Sequence, residues 1–330
     1  MTQRMKAAWI ERYGGPDMVQ VRDVPKPEPG PTDVLVRVEA ASVNRADLDG
    51  IVPRWAFVRL FAGLRRPRVH RVGLDVAGVV EAVGEEVSRF KPGDRVFGDL
   101  FSYGSGAFAE YSCAPEKAFA AIPDDMPTEV AATLPHSANL AIQGLRLRNG
   151  RTAESGARVL VVGASGNVGP FVVQIAKSRG NHVTAVASRD KLDFVRSLGA
   201  DEVIDYRTTD YTRPAQRYDW IVDVDAHHTL GRWRRALKPR GVYMAMGGSG
   251  AWLLSLLILQ PMNKLMTDKT MGLMLHWKPF NRPDIDELKR LVAAGVIVPQ
   301  IDRRFTLDQA ADALRHVHTG QARGKVLVIP

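Results

Sequence analysis

This sequence predicts a mixed α/β protein in which a doubly wound parallel sheet follows a β-rich amino-terminal region. Three observations carry that expectation. Arg158–Val162 is a β-branched run, the turn Gly163–Gly169 follows at once, and the amphipathic Phe171–Lys177 comes next, which reads as strand, glycine turn and helix. After Gly156, strand-like and helical runs alternate, the pattern of a parallel sheet with crossover helices. Earlier in the chain the apolar residues alternate with period two between glycines and prolines, the pattern of short antiparallel strands.

In order, Ala7–Ile10 opens as a strand, Val19–Val24 alternates like a half-exposed one, Pro25–Pro31 is a proline-rich turn, and Asp33–Ala40 alternates again. Leu74–Val83 and Asp94–Phe97 continue the pattern, with glycines at their ends. Phe108–Cys113 is also strand-like, and from Thr128 the texture turns helical. In the alternating region His182–Ala187 is the second strand, Lys191–Leu198 a helix, Glu202–Ile204 the third strand, Trp220–Asp223 the fourth and Gly241–Met246 the fifth. A helix at Ile285–Ala294, the segment Phe305–His318 and the strand Lys325–Ile329 then return to the first domain. There is no solenoid repeat.

A chain of 330 residues is too long for most single cores and implies two domains. The amino terminus has neither a signal-peptide core nor transit composition, from which a cytosolic address is expected. One cysteine, Cys113, excludes an internal disulfide and a cysteine-rich zinc site, and reads as a small buried apolar residue. The net charge of +9 invites a nucleic-acid reading, but the arginines are scattered and no nucleic-acid motif accompanies them. No nucleic-acid partner is expected; anionic substrates, cofactor phosphates or an acidic membrane surface suit the same charge.

Two segments stand apart. Arg54–Arg71 interleaves six arginines with Trp55, Phe57, Leu60, Phe61 and Leu64, and reads either as a solvated basic segment with an apolar face or as a rim for an anionic or lipid-like substrate. Ala251–Leu259 is almost wholly apolar yet too short to span a bilayer. A pocket cover, a subunit interface and a membrane-dipping patch are all compatible with it.

The glycine turn has a physical logic of its own. Gly166 lets backbone approach a pyrophosphate, Gly169 lets the helix pack closely on the strand, and the helix amino terminus offers N–H groups and positive dipole to anionic oxygens. Ala164 takes the place of the leading glycine of the common fingerprint. The alternative is a tight strand-to-helix turn without a ligand.

Gly30–Val38, Ala41–Asp47, Gly73–Val80, Phe90–Val96, the glycine turn, Leu198–Asp201 and Ala322–Val326 together resemble, in order along nearly the whole chain, the medium-chain dehydrogenase/reductase superfamily and its zinc-free quinone oxidoreductase or zeta-crystallin-like branch. The resemblance implies a β-rich, GroES-like catalytic domain built from residues 1–122 and 262–330. It implies a Rossmann-type NADP-binding domain, residues 123–261, inserted between them, with the active site in the cleft. Zinc-bearing relatives have a cysteine at the position of Asn44 and a His-Glu pair at Leu74 and Asp75; Asn44 and Leu74 are poor ligands, so no metal is expected.

The cofactor expectation is NADPH. An NAD site places a carboxylate at the end of the second strand, whereas Ser188, Arg189 and Lys191 offer hydroxyl and cationic partners for a 2′-phosphate. Asp190 is the contrary residue, explained equally by a helix dipole. By resemblance Lys191 and Tyr206 flank that phosphate, and the expected cofactor set is Ser165, Gly166, Asn167, Val168, Gly169, Ser188, Arg189, Lys191, Tyr206, Asp223, Gly247 and Lys325.

With no metal and no triad, the chemistry left is hydride transfer to an acceptor already electrophilic, a quinone or the activated C=C of an α,β-unsaturated carbonyl. The expected catalytic residues are Asn44 in the cleft, Asp47 orienting it or the nicotinamide ribose, and Tyr103 giving a proton. Asn44 reads alternatively as a helix cap and Tyr103 as packing. Related enoyl reductases carry a tyrosine acid shortly after the Asn-x-x-Asp segment, and Gly50–Trp55 has none. His136 stands where relatives carry an apolar residue, and reads as a structural histidine or a proton relay. Leu140 and Asp225 depart from the family pattern beside the cofactor.

The alternatives are a zinc-independent alcohol dehydrogenase or tailoring reductase of natural-product synthesis, and a non-catalytic NADPH-binding protein. A small hydrophobic electrophile is the expected partner. A homodimer is expected to pair through Gly241–Met246 read as an edge strand.

Overall fold

The computed structural model describes residues 3–52, 63–213, 215, 217–248, 252, 254–260 and 267–330. The strands run β1 Arg4–Ile10, β2 Val19–Pro25, β3 Asp33–Val43, β4 Asp75–Val83, β5 Arg95–Asp99, β6 Tyr111–Pro115 and β7 Phe119–Ala121. They continue with β8 Arg158–Val162, β9 His182–Ala187, β10 Glu202–Asp205, β11 Tyr218–Asp223, β12 Leu237–Ala245, β13 Thr270–Leu273, β14 Ile301–Thr306 and β15 Lys325–Ile329.

Two compact units form. The first comprises Met1–Asn139, Pro279–Ala293 and Pro299–Pro330, the second Leu140–Lys278 and Ala294–Val298. Texture placed the crossings near Ile122 and Pro261, whereas the chain passes between units after Asn139 and after Lys278. Helical texture starts early because the helix Thr128–Ala132 packs on β3, β4 and β5 of the β-rich unit.

In the β-rich unit the sheet order is β14-β15-β3-β4-β5-β7, with β6 also on β3, and β1 and β2 form a separate hairpin. β3 is long enough to serve three partners: β6 along Asp33–Arg37, β4 along Val34–Ser42, and β15 at Ala41–Val43. Its inward residues Val34, Val36, Val38 and Val43 join Val76, Val96, Phe108, Phe119, Leu314 and Val328 in one core. The helix Ala310–His318 buries Ala310, Ala313, Leu314 and Val317 at i, i+3, i+4 and i+7 spacing.

The second unit is a six-stranded parallel sheet, β10-β9-β8-β11-β12-β13. Its strands are apolar on both faces, as a sheet covered on both sides requires. Trp220, Trp233, Tyr218 and Tyr243 are its largest buried side chains.

Four expectations change. Gly241–Met246 is not an edge, because β13 pairs with β12 beyond it; Thr270–Leu273 is too short and irregular to announce a strand. β14 was likewise unmarked, its Ile301–Thr306 being mostly polar because most of its residues face solvent. Cys113 is half-buried rather than buried, and burial pushes its thiol up to about 11, so it is not a thiolate at neutral pH. It lines a cavity of about 160 Å³ with Trp9, Arg71, Phe108 and Tyr111. Of the basic segment Arg54–Arg71, residues 53–62 lie outside the described residues; Arg65, Arg66, Arg68 and Arg71 are exposed.

Residues 254–260 are helical and expose Leu254, Leu257 and Ile258. No helix among the described residues is long and apolar enough to cross a membrane.

Candidate active site

Strand register gathers a buried polar cluster in the β-rich unit. Ser42 on β3 stands opposite Asp75 on β4, and Asp75 stands opposite Asp99 on β5, so three polar side chains form one row across the sheet. β15 meets β3 with Val326 opposite Val43, which sets Lys325 beside Asn44. The sixth and seventh members, His136 and Ser137, come from the turn Leu134–Ala138, a single π-helical turn. Pro135 has no N–H to offer the helix, and the His136 N–H leaves it to bond Asp75 Oδ1 at 3.0 Å.

Within the cluster the donors and acceptors are closely matched. Asp75 Oδ2 accepts from Ser42 Oγ at 2.8 Å, Asn44 Nδ2 at 2.8 Å and Lys325 Nζ at 3.3 Å. Asn44 Oδ1 accepts from Lys325 Nζ at 2.7 Å and Ser137 Oγ at 2.8 Å, while Ser137 Oγ also lies 3.1 Å from Lys325 Nζ. Lys325 is 0% exposed. Burial pushes the Asp75 carboxyl up and the Lys325 ammonium down, and each charge opposes the other's shift. Four donors converging on one carboxylate fit the ionised pair.

This arrangement redefines three expected residues. Asn44 caps the helix Arg45–Ile51 by position, but its amide is committed to Asp75, Lys325 and Ser137, so it holds the scaffold rather than facing a substrate. Lys325, expected among the cofactor contacts, is committed to the same network. Asp47 accepts the Asn44 N–H at 2.7 Å through Oδ2, while its buried Oδ1 has no hydrogen-bond partner. Burial pushes its carboxyl up to about 7. An unpartnered buried acceptor is costly.

Tyr103, in the short 3₁₀ turn Phe101–Tyr103, packs its ring on the core, and burial, with the Asp99 carboxylate, pushes its hydroxyl up. That makes it a poorer acid. His136 Nδ1 lies 3.1 Å from Asp99 Oδ2. Burial works to lower its pKa, but the Asp99 carboxylate, with Asp75 further away, outweighs burial and holds the imidazole above its ordinary value.

The second unit contributes a backbone cradle. Gly163 has φ +75, and a Cβ on Gly169 would stand 2.4 Å from the Gly163 carbonyl oxygen, so only glycine lets the helix Gly169–Ser178 seat on the turn. A Cβ on Gly166 would meet only the Gly163 oxygen, at 3.6 Å, which leaves room above the turn. No side chain caps the helix, and Ser165 and Val168 flank its amino terminus.

Parallel pairing of Asp205 with Ala187 brings Tyr206 beside Ser188, and the Tyr206 N–H donates to the Ala187 carbonyl at 3.3 Å. Ser188, Arg189, Lys191 and Tyr206 thus share one strand end, with Arg189 exposed, Tyr206 49% exposed and Lys191 buried. Arg207 joins them, its guanidinium 5.6 Å from the Tyr206 ring centroid. Sequence reading missed it, although a cation just past the next strand was the signal to look for.

Asp223 is not open to a ligand: its Oδ2 accepts from Tyr243 Oη at 2.9 Å, and burial pushes its carboxyl up to about 7. Gly247 is held close against Val224, where a Cβ would lie 2.6 Å from the Val224 oxygen. Ser42, Asp75, Asp99 and Ser137 were also missed as site residues, because only register and the π turn bring them together.

Comparison with known proteins agrees with this layout. Residues 30–124 match the alcohol dehydrogenase GroES-like domain, and residues 198–328 match the zinc-binding dehydrogenase family. A chloroplastic quinone oxidoreductase of Triphysaria versicolor is 32% identical over 99% of this chain and 98% of its own length. A chloroplastic NADPH-dependent alkenal/one oxidoreductase of Arabidopsis thaliana is 30% identical over 99% of this chain and 80% of its own. The structure of the quinone oxidoreductase from Coxiella burnetii superposes with a TM-score of 0.87 at 26% identity, covering 99% of this chain and 100% of that one.

Fold and site define an oxidoreductase with a GroES-like unit and a parallel-sheet unit for a nicotinamide cofactor. The chain belongs to the medium-chain dehydrogenase/reductase superfamily, in its quinone oxidoreductase branch.

The family description includes zinc, and the residues present do not fit it. The relevant positions hold an amide, a hydrocarbon and a carboxylate, with an ammonium 2.7 Å from the amide oxygen. Among the described residues no three His, Cys, Asp or Glu side chains are grouped to hold a metal. The cytosolic address is overturned by the same comparisons: both relatives are chloroplastic, and the Triphysaria protein is so although this chain matches 98% of its length.

Proposed function

We propose that this chain is an NADPH-dependent, metal-free reductase of quinones or of the activated C=C of α,β-unsaturated carbonyls. One observation carries the reading. The Lys325 ammonium, held by Asn44, Asp75 and Ser137, fills the neighbourhood where zinc-bearing relatives keep their Lewis acid. Without a metal to acidify an alcohol, the acceptor has to be electrophilic already.

When bound, the reduced nicotinamide supplies the hydride. The backbone from Ser165 to Gly169 and the helix start would hold its pyrophosphate. Ser188, Arg189, Lys191, Tyr206 and Arg207 would take the 2′-phosphate, with Asp190 the one carboxylate among them. The apolar Leu254, Leu257 and Ile258 suit a hydrophobic substrate or a membrane surface. A homodimer, if formed through the parallel sheet, would pair along β13.

The test is steady-state oxidation of NADPH and NADH with a quinone and an enone, with and without a chelator. Arg189→Glu is expected to lower the NADPH-to-NADH ratio of kcat/KM on the order of 10- to 100-fold. An unchanged ratio removes the phosphate assignment, and activity lost to chelation removes the metal-free mechanism.

A further inference from the structure

The cavity of about 160 Å³ in the β-rich unit shares no residue with the polar cluster or with the glycine cradle. Strand alternation creates it. Met5, Ala7 and Trp9 share one face of β1, and Tyr111 and Cys113 share one face of β6. Ala7 pairs with Ala109 in an isolated antiparallel bridge, so two small side chains meet where larger ones would fill the space. Met5, Trp9, Phe108 and Tyr111 wall what is left. An apolar cavity of about 150 Å³ is enough to take benzene, so a single ring of that size fits.

One charged side chain lines this space. Arg71 is bridged to Trp9 through the backbone, and two glycines with positive φ make room for its side chain. A Cβ on Gly104 would lie 3.0 Å from Arg71 Nη2, and one on Gly106 would lie 3.2 Å from its Cδ. Among the described residues the guanidinium has neither an ion pair nor a hydrogen-bond partner. The neighbouring cation is already engaged, since Lys26 Nζ lies 3.7 Å over the Tyr111 ring and 2.9 Å from Glu81. Asp33, the carboxylate that acts on the Cys113 thiol, accepts the Gly30 N–H at 3.2 Å and does not line the cavity. Trp9 is fixed by stacking on His70, whose Nδ1 lies 2.7 Å from the Ile10 carbonyl oxygen. An unpaired arginine at a surface is ordinary, but one that lines an aromatic-walled space supplies the polar anchor that small-molecule sites use to fix orientation.

We propose that this cavity binds a small monocyclic aromatic carboxylate, with its ring against Trp9, Phe108 and Tyr111 and its carboxylate on Arg71. The guanidinium fork can donate two parallel N–H bonds to the two oxygens. The apolar walls take the ring, and the charge decides between an acid and a neutral ring of the same shape. Binding here needs no turnover and stands independently of the reductase reading.

The experiment is a fluorine NMR titration of the full chain with para-fluorobenzoate and with para-fluorobenzamide, each with and without NADPH. The benzoate is expected to bind with a dissociation constant on the order of 0.01–1 mM, and the benzamide about 10-fold more weakly. Arg71→Met should weaken the benzoate about 10-fold and leave the benzamide unchanged. Ala109→Leu, which fills the space, should abolish binding of both. Cys113 is the only thiol in the chain, so its alkylation by N-ethylmaleimide in alkaline buffer reports occupancy of the cavity, and the benzoate should slow it. Benzoate binding indifferent to Arg71→Met, or alkylation that the benzoate leaves unslowed, overturns the proposal. So does benzoate displaced by NADPH, which would place the anion in the cofactor cradle. If Ala109→Leu shows no cooperative melt, Arg71→Met and the alkylation rate decide.

Discussion

The two units build their sites by opposite means. In the β-rich unit the cluster consists of buried side chains hydrogen-bonded to one another, and its geometry follows largely from strand register. In the parallel-sheet unit the cradle is mostly backbone, rimmed by exposed cations at a strand end. The first can lose little without losing the fold, whereas the second can change its rim and keep its scaffold.

The hardest test of that contrast is Lys325→Met. Removing the ammonium leaves Asp75 as an uncompensated buried charge, and chemical denaturation should show a loss of about 3–5 kcal/mol. A loss below about 1 kcal/mol would mean that the cluster is less tightly coupled than its distances suggest. In the other unit Gly169→Ala forces a Cβ against the Gly163 oxygen, and should cost about 1–3 kcal/mol in stability and weaken NADPH binding in a fluorescence titration.

Asp47 and Asp223 place the same titration in both units. Each has its folded pKa raised to about 7, above an unfolded value near 4. The protonated form is favoured by the fold, so this stability is present at low pH and declines as pH rises from about 4 through about 7. Thermal melts between pH 5 and 8 should show the decline, and Asp47→Asn or Asp223→Asn should each flatten it by about 1 kcal/mol or more.

At the rim, Arg207→Glu should lower the NADPH preference about 3- to 10-fold with an unaltered melting temperature. The smallest effect belongs to the exposed Arg304–Glu129 pair in the β-rich unit. Glu129→Gln should change stability by less than about 1 kcal/mol, since the bidentate contact is solvated and screened.

The parallel sheet was legible where the physics is local. β8 and β9 coincide with their apolar runs, and Gly163–Gly169 has the turn its glycines require. β13 and β14 were not, because a four-residue strand and a mostly polar one lack the periodicity that identifies a strand. Ser188, Arg189 and Lys191 stand together in sequence after β9, and Tyr206 came only from the family resemblance; parallel pairing of β10 with β9 brings it beside them. The polar cluster was not: Ser42, Asp75, Asp99 and Lys325 are far apart in sequence, and only register makes them neighbours. Asn44 was found for its residue type and place, but its role depends on partners that spacing cannot show.

The pairing of β15 with β3 also has a temporal consequence. Nearly all of the parallel-sheet unit, Leu140–Lys278, is translated before Lys325 exists, so on the ribosome it can complete its sheet first. β3, β4 and β5 meanwhile wait with Asp75 and Asn44 lacking their ammonium, and the contact that relieves them spans 281 residues of chain. Closing so distant a contact is slow. The β-rich half is therefore expected to complete its fold last.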